Sequence, residues 1–257
     1  QTMMFTGQWG LFIVLGLFLF APLFDTPNWF GMMLPVGFTG GFGTAAAVGG
    51  ALEGVGADAA SSLGFTSATV GTLAAIIGGV IAGNWGIRKG KVSHVPKELP
   101  EELRRGYIKN IDDRPSLGRA TTNPSSIEPL ALHFGFIILT VMTAYGINQG
   151  LSSIWENVSV PLFAMSMVVG LFFRALMNFV GAEDYLDKDS ISSISGAATD
   201  YLIAFGVAAI VPAAIASYWQ ALLLLFILGT IFCVFFLLWF PAEFFGERWI
   251  ERGIFGW

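Results

Sequence analysis

Charge is scarce in this sequence. Asp, Glu, Lys and Arg make up 12% of its 257 residues, against roughly 25% in an ordinary soluble domain. A water-soluble globule needs a charged exterior to stay dispersed, so a soluble domain is excluded. Charge this sparse also excludes disorder and a nucleic-acid-binding module. Cysteine is nearly absent. The single Cys233 excludes a disulfide-stapled scaffold, and alone it says nothing about redox compartment. Histidine is limited to His94 and His133. No His/Cys spacing suits a metal, no nucleophile stands beside a plausible base, and no phosphate loop ends in Gly-Lys-Ser/Thr, so no residue set supports catalysis.

What is abundant is apolar. Hydrophobic residues make up 54% of the chain, with 24 Phe and 8 Trp, and mean hydropathy is +0.69. These figures point to an all-α integral membrane protein with several helices. The basic residues are concentrated, nine of the 13 lying between Arg88 and Arg119. We read 88–128 as a hydrophilic loop with a short helix near 100–108, and the positive-inside rule places it in the cytoplasm. Spans are then expected at 66–87, 129–150, 158–180, 199–217 and 219–240, each long enough for a core of roughly 30 Å. Arg174, Lys188, Arg248 and Arg252, the four basic residues outside the loop 88–128, fall on the same side in this orientation. The expected outer loops, 53–65 and 151–157, carry no Lys or Arg.

The apolar run 9–23 follows Gln1 with no basic stretch before it and no cleavage site after it, so it does not read as a signal peptide. The chain stops in the apolar 253–257. Both ends read as cut, and a fragment of a longer protein is expected.

One segment departs from a plain helix. Residues 31–52 are apolar but hold Pro35, Gly37, Gly40, Gly41, Gly43, Gly49 and Gly50. In a helix interior Gly costs about 1 kcal/mol and Pro about 3 relative to Ala. The run Thr39-Gly40-Gly41-Phe42-Gly43-Thr44 predicts an interruption between half-helices 32–38 and 44–52. Unwound backbone at membrane depth has to be buried in protein or line a cavity. There its carbonyls can take a cation, and the N–H groups of a half-helix N-terminus can take a carboxylate. Close helix packing also uses small residues, and that account suits Gly78, Gly79 and Gly83 better.

The same residues carry a resemblance. The run Thr39 to Ala47 resembles the glycine-rich reentrant motif of the bacterial sodium/glutamate symporter family. Gly64-Phe65-Thr66-Ser67-Ala68-Thr69 resembles the polar turn after it, and Ile77 to Gly83 resembles the glycine-rich helix leading to the central loop. The likeness is specific over about 38–90 and continues to Phe240 in hydropathy and helix order alone. It implies an inverted-repeat secondary-transporter fold and a homodimer working by an elevator-type motion. It also implies coupling of sodium flow to uptake of an acidic amino acid such as glutamate. On this alignment 1–87 ends the first repeat and 129–257 opens the second, stopping before its reentrant segment. Phe42 stands where the family motif commonly has His. Phe cannot donate a hydrogen bond to a carboxylate, so another organic anion stays open.

The expected substrate and ion site is therefore Thr39, Gly40, Gly41, Phe42, Gly43, Thr44 and Ala45. The hydroxyls of Thr39 and Thr44 are hard oxygen ligands suited to Na⁺. Na⁺ is the coupling ion, no further cofactor is expected, and the partners are a small anion and the lipid bilayer. The location is the bacterial inner membrane. Asp200 reads as a helix-start acid, or else as a carboxylate on the ion path. Arg174 reads as a snorkelling or paired residue at the inner boundary, with a clamp on a substrate carboxylate as the lesser reading. His133 reads as packed and hydrogen-bonded rather than as a proton relay, and His94 as solvated. Glu53 and Asp58 border the outer mouth. Two other classes remain open: a proton-coupled transporter or channel using Asp200 and His133, and a non-transporting assembly subunit whose glycine-rich break is packed and dry.

Overall fold

The computed structural model describes residues 2–89, 105–155 and 160–244. His94, Arg248, Arg252 and the first half of the helix expected near 100–108 lie outside them. Regular structure among the described residues is helical, with no strand. Helix α1, Thr2–Phe24, carries a π-helical turn at Gly16–Phe20. A 3-10 turn, Phe30–Met32, leads into α2, Met33–Phe38, and then α3, Gly41–Glu53. Then follow α4, Ala60–Arg88; α5, Pro129–Ile154; α6, Leu162–Val180; α7, Lys188–Ala208; and α8, Pro212–Phe244. Six of these, α1 and α4 to α8, are long and apolar enough to cross a membrane. On α4, Leu73, Ile76, Ile77, Val80 and Ile81 are all more than half exposed. A continuous apolar surface of that kind calls for lipid rather than water as its cover.

Packing divides the chain into two units, Gln1–Leu99 with Ile203–Trp257, and Pro100–Leu202. In the first, Phe12, Phe20, Phe30, Leu34, Leu63 and Leu225 form a fully buried core. Phe30 is central, its ring 5.6 Å from Phe20 and 5.7 Å from Tyr218. The π-helical turn of α1 brings backbone against backbone. A Cβ on Gly16 would lie 3.0 Å from Gly31 Cα, and one on Gly31 would overlap Phe12 O. The entrance to α2 is thereby fixed against α1.

In the second unit α5 begins at Pro129, and Glu128 caps it, its Oε2 accepting from Ala131 N at 2.6 Å. Pro at the first helical position leaves no donor wasted. His133 is buried and both ring nitrogens are used. Pro129 O can only accept, so Nδ1 donates to it (2.6 Å), and Nε2 then accepts from Asp187 N (2.8 Å). In that pattern Nδ1 is the donor and Nε2 the acceptor. Asp187 in turn caps α7, its Oδ2 accepting from Ser190 N and Ser190 Oγ, both at 2.8 Å, and from Arg119 N at 3.0 Å. These donors, the Arg119 amide foremost, hold the Asp187 carboxyl below its ordinary value of 3.8.

Several helix ends differ from the sequence expectation. The helix expected at 199–217 runs instead from Lys188 to Ala208, and the next begins at Pro212 and bends at Tyr218 (φ −118°, ψ 16°). The helix expected at 66–87 starts at Ala60, so Gly64 to Thr69 is helix and not a turn. Serine and threonine made both starts look like loops. Here their hydroxyls donate back four residues, as from Thr66 to Ser62 O (2.8 Å), Thr69 to Phe65 O (2.8 Å) and Thr199 to Ser195 O (2.9 Å). A hydroxyl satisfied in this way is compatible with a helix interior. Asp200 consequently sits well inside α7, exposed, and is not a helix-start acid.

Candidate functional site

The glycine-rich segment packs along α4. Small residues at Ser61, Gly64, Ala68 and Gly71 recur every three or four positions and so share one face of that helix. Each meets the interrupted segment. A Cβ on Gly49 would lie 2.5 Å from Ser61 Cα, one on Gly64 3.3 Å from Ala45 Cβ, and one on Gly71 2.9 Å from Phe38 Cα. A Cβ on Gly37 would overlap Ala68 N. The partners run antiparallel, Gly49 opposite Ser61 and Phe38 opposite Gly71, so α2 and α3 lie against α4 backbone to backbone. Ser67 and Ser62 tie the face to its neighbours. Ser67 Oγ is 3.5 Å from Leu34 O, and Ser62 Oγ accepts from Val211 N at 2.9 Å.

The interruption is narrower than the glycine count suggests. Only Thr39 and Gly40 leave the helix; Phe42 to Ala45 are helical. Pro35 has no N–H but keeps its carbonyl, which accepts from Gly40 N (3.0 Å) and Thr39 Oγ1 (2.9 Å). Gly41 then turns the chain with φ +70°, a left-handed conformation that costs an L-residue about 1–2 kcal/mol. Gly40 is required for space, since a Cβ there would overlap Val36 O and sit 2.6 Å from Thr44 Cβ. Helix α2 has 6 residues and α3 has 13. At about 1.5 Å per residue, neither reaches across roughly 30 Å of hydrocarbon alone.

The residues of the expected site, 39–45, each have a definite place. Thr39 and Thr44 are half-buried on either side of the turn, and Thr44 Oγ1 donates to Gly40 O at 2.9 Å. Their hydroxyl oxygens keep lone pairs for a cation, and the first turn of α3 presents N–H groups that lack intrahelical acceptors. The segment 31–52 contains no charged residue, so the turn offers a ligand only peptide groups and hydroxyls. Ala45 is fully buried against Gly64. Phe42 does not project into open space. Its ring is buried, stacks on Phe65 at 6.4 Å, and rests on Gly206, whose absent Cβ would overlap it. Sequence reasoning placed Phe65 in a motif without a role against Phe42, and it missed Gly206, which carried no signal beyond being a small residue in an apolar run.

Other candidates lie outside this turn in the sequence. His133 belongs to the cap of α7. Arg174 is exposed near the end of α6, and Glu53 Oε1 accepts from Ser61 N at 3.0 Å at the α3–α4 corner. The packing role expected for Gly83 is not found, because nothing lies within 4 Å of a Cβ there. Gly78 borders an apolar cleft of about 620 Å³ between α4 and α8. No group of three or more His, Cys, Asp or Glu suited to a metal occurs among the described residues.

Comparison with known proteins gives one finding. The family model for the sodium/glutamate symporter matches residues 20–247. No curated protein and no solved structure matches the chain. The match covers the interrupted segment, its small-residue seat on α4 and all the later spans. This chain therefore belongs to the sodium/glutamate symporter family, a family of membrane transporters.

Proposed function

We propose that this chain couples inward sodium flow to the uptake of an acidic amino acid, glutamate or a related organic anion. The observation that carries the reading is the family match across residues 20–247. The site is the turn from Thr39 to Ala45. Sodium binds the hydroxyl oxygens of Thr39 and Thr44 with neighbouring peptide carbonyls, because a hard cation prefers oxygen ligands. The substrate carboxylate lies at the start of α3, where the N–H groups and the positive end of the helix dipole face it. With Phe42 buried between Phe65 and Gly206, carboxylate recognition falls to the peptide backbone. The protein acts as a homodimer in the bacterial inner membrane, with the loop 88–128 in the cytoplasm and two inverted repeats. Proton coupling has less support. His133 uses both nitrogens in fixed hydrogen bonds, and Asp200 is exposed on α7.

The test is uptake of labelled glutamate by proteoliposomes with and without an inward sodium gradient. Sodium-dependent glutamate uptake is expected. Sodium-dependent uptake of another anion alone would move the substrate and keep the mechanism. Flux that follows a proton gradient and ignores sodium would overturn the reading.

A further inference from the structure

The second unit contains a pocket that the transport reading does not use. It is about 370 Å³ and lies between α6, the 181–187 turn and the start of α7. Arg174 and Lys188 both line it, and neither has an ion-pair partner among the described residues. Glu183 stands on the same wall, while Phe136, Met177 and Ile191 make an apolar side. The position decides what such a pocket can hold. Lys188 is the first residue of α7, and Arg174 lies six residues before the end of α6, about 9 Å along the helix. Both spans end here, so the pocket sits where hydrocarbon gives way to headgroups. An arginine at that depth reaches out along its own stem towards the phosphate layer. Two unpaired cations beside an apolar wall match a phosphodiester joined to an acyl chain, and basic pockets between membrane helices take anionic headgroups in this way.

We propose that this pocket binds one anionic phospholipid. Arg174 and Lys188 contact the phosphate, an acyl chain lies along Phe136, Met177 and Ile191, and Glu183 accepts from a headgroup hydroxyl. The guanidinium offers two parallel donors to the phosphate oxygens, and the ammonium acts as a point charge. The hydroxyl acceptor favours phosphatidylglycerol over an anionic lipid without hydroxyls.

Native mass spectrometry of the purified protein, titrated with phosphatidylglycerol, phosphatidylcholine or inorganic phosphate, tests the assignment. Phosphatidylglycerol should bind with one site and raise the apparent Tm; phosphatidylcholine and inorganic phosphate should do neither. Each basic residue near a lipid phosphate contributes enough that removing both, in R174Q/K188Q, should weaken binding roughly 30-fold. R174K/K188R should retain most of it. M177W, which fills the apolar wall and leaves both cations in place, should also lower lipid retention, and it serves if the double glutamine variant does not fold. Equal binding of phosphatidylcholine, undiminished binding by the variants, or the same stabilisation by inorganic phosphate alone would overturn the proposal. None of these readouts depends on transport.

Discussion

At the scale of single residues, the glycines divide by what surrounds them. Gly41 turns the chain at φ +70°, whereas Gly50, nine residues on, has nothing within 4 Å of a Cβ. Gly41→Ala should therefore destabilise the protein by about 1–2 kcal/mol, the cost of a left-handed L-residue. Gly50→Ala should be neutral or stabilising by up to about 1 kcal/mol, as Ala is the better helix former. Apparent Tm in detergent separates the two. Equal losses would show that the turn does not depend on Gly41. Asp187 gives a pH dependence of known sign. Its carboxyl is held below 3.8 in the folded protein, so its contribution is complete above that value. It is lost as pH falls through the lower, folded pKa. Acid unfolding of Asp187→Asn should lack that component, and the difference between the two proteins should vanish at the acid end of the curve. Composition does not reveal such roles. Gly41 and Gly50 are the same letter, and Asp187 acts through amides that only the fold brings near it.

At the scale of elements, helices were legible and their ends were not. Long apolar runs with few charges can satisfy their backbone in a membrane only as helices, so the all-helical, multi-span class followed from hydropathy. The starts of α4 and α7 were obscured because Ser and Thr read as loop formers in water, while here they bond to carbonyls one turn back. The small face of α4 was hidden by the same misreading. A loop over 61–65 hides the alignment of Ser61 and Gly64 with Ala68 and Gly71, which appears once the helix starts at Ala60. That face sets the distance at which α2 and α3 are held. Ala68→Leu would push α2 from its seat at Gly37, and overpacking of this kind costs about 1–3 kcal/mol. The expected outcome is a lower apparent Tm together with loss of uptake. Leu73→Ala on the exposed face, by contrast, should leave both nearly unchanged. If Ala68→Leu left Tm and uptake intact, the close approach would not matter to the site.

At the scale of the whole molecule, charge placement predicts orientation. Asp58 and Asp112 are both exposed, and the reading places them on opposite sides of the membrane. In intact cells an impermeant maleimide should label Asp58→Cys, and it should reach Asp112→Cys only after the membrane is opened. The reverse pattern would invert the topology. One buried detail makes such work simple. Cys233 is 7% exposed, and its sulfur accepts a hydrogen bond from Gln8 Nε2 at 3.2 Å. The protein is thus close to a spectroscopic blank, whose own thiol is shielded inside the first unit. Pairs of spin labels introduced on α3 and α4 could report nanometre distances during a transport cycle, with no native background to remove.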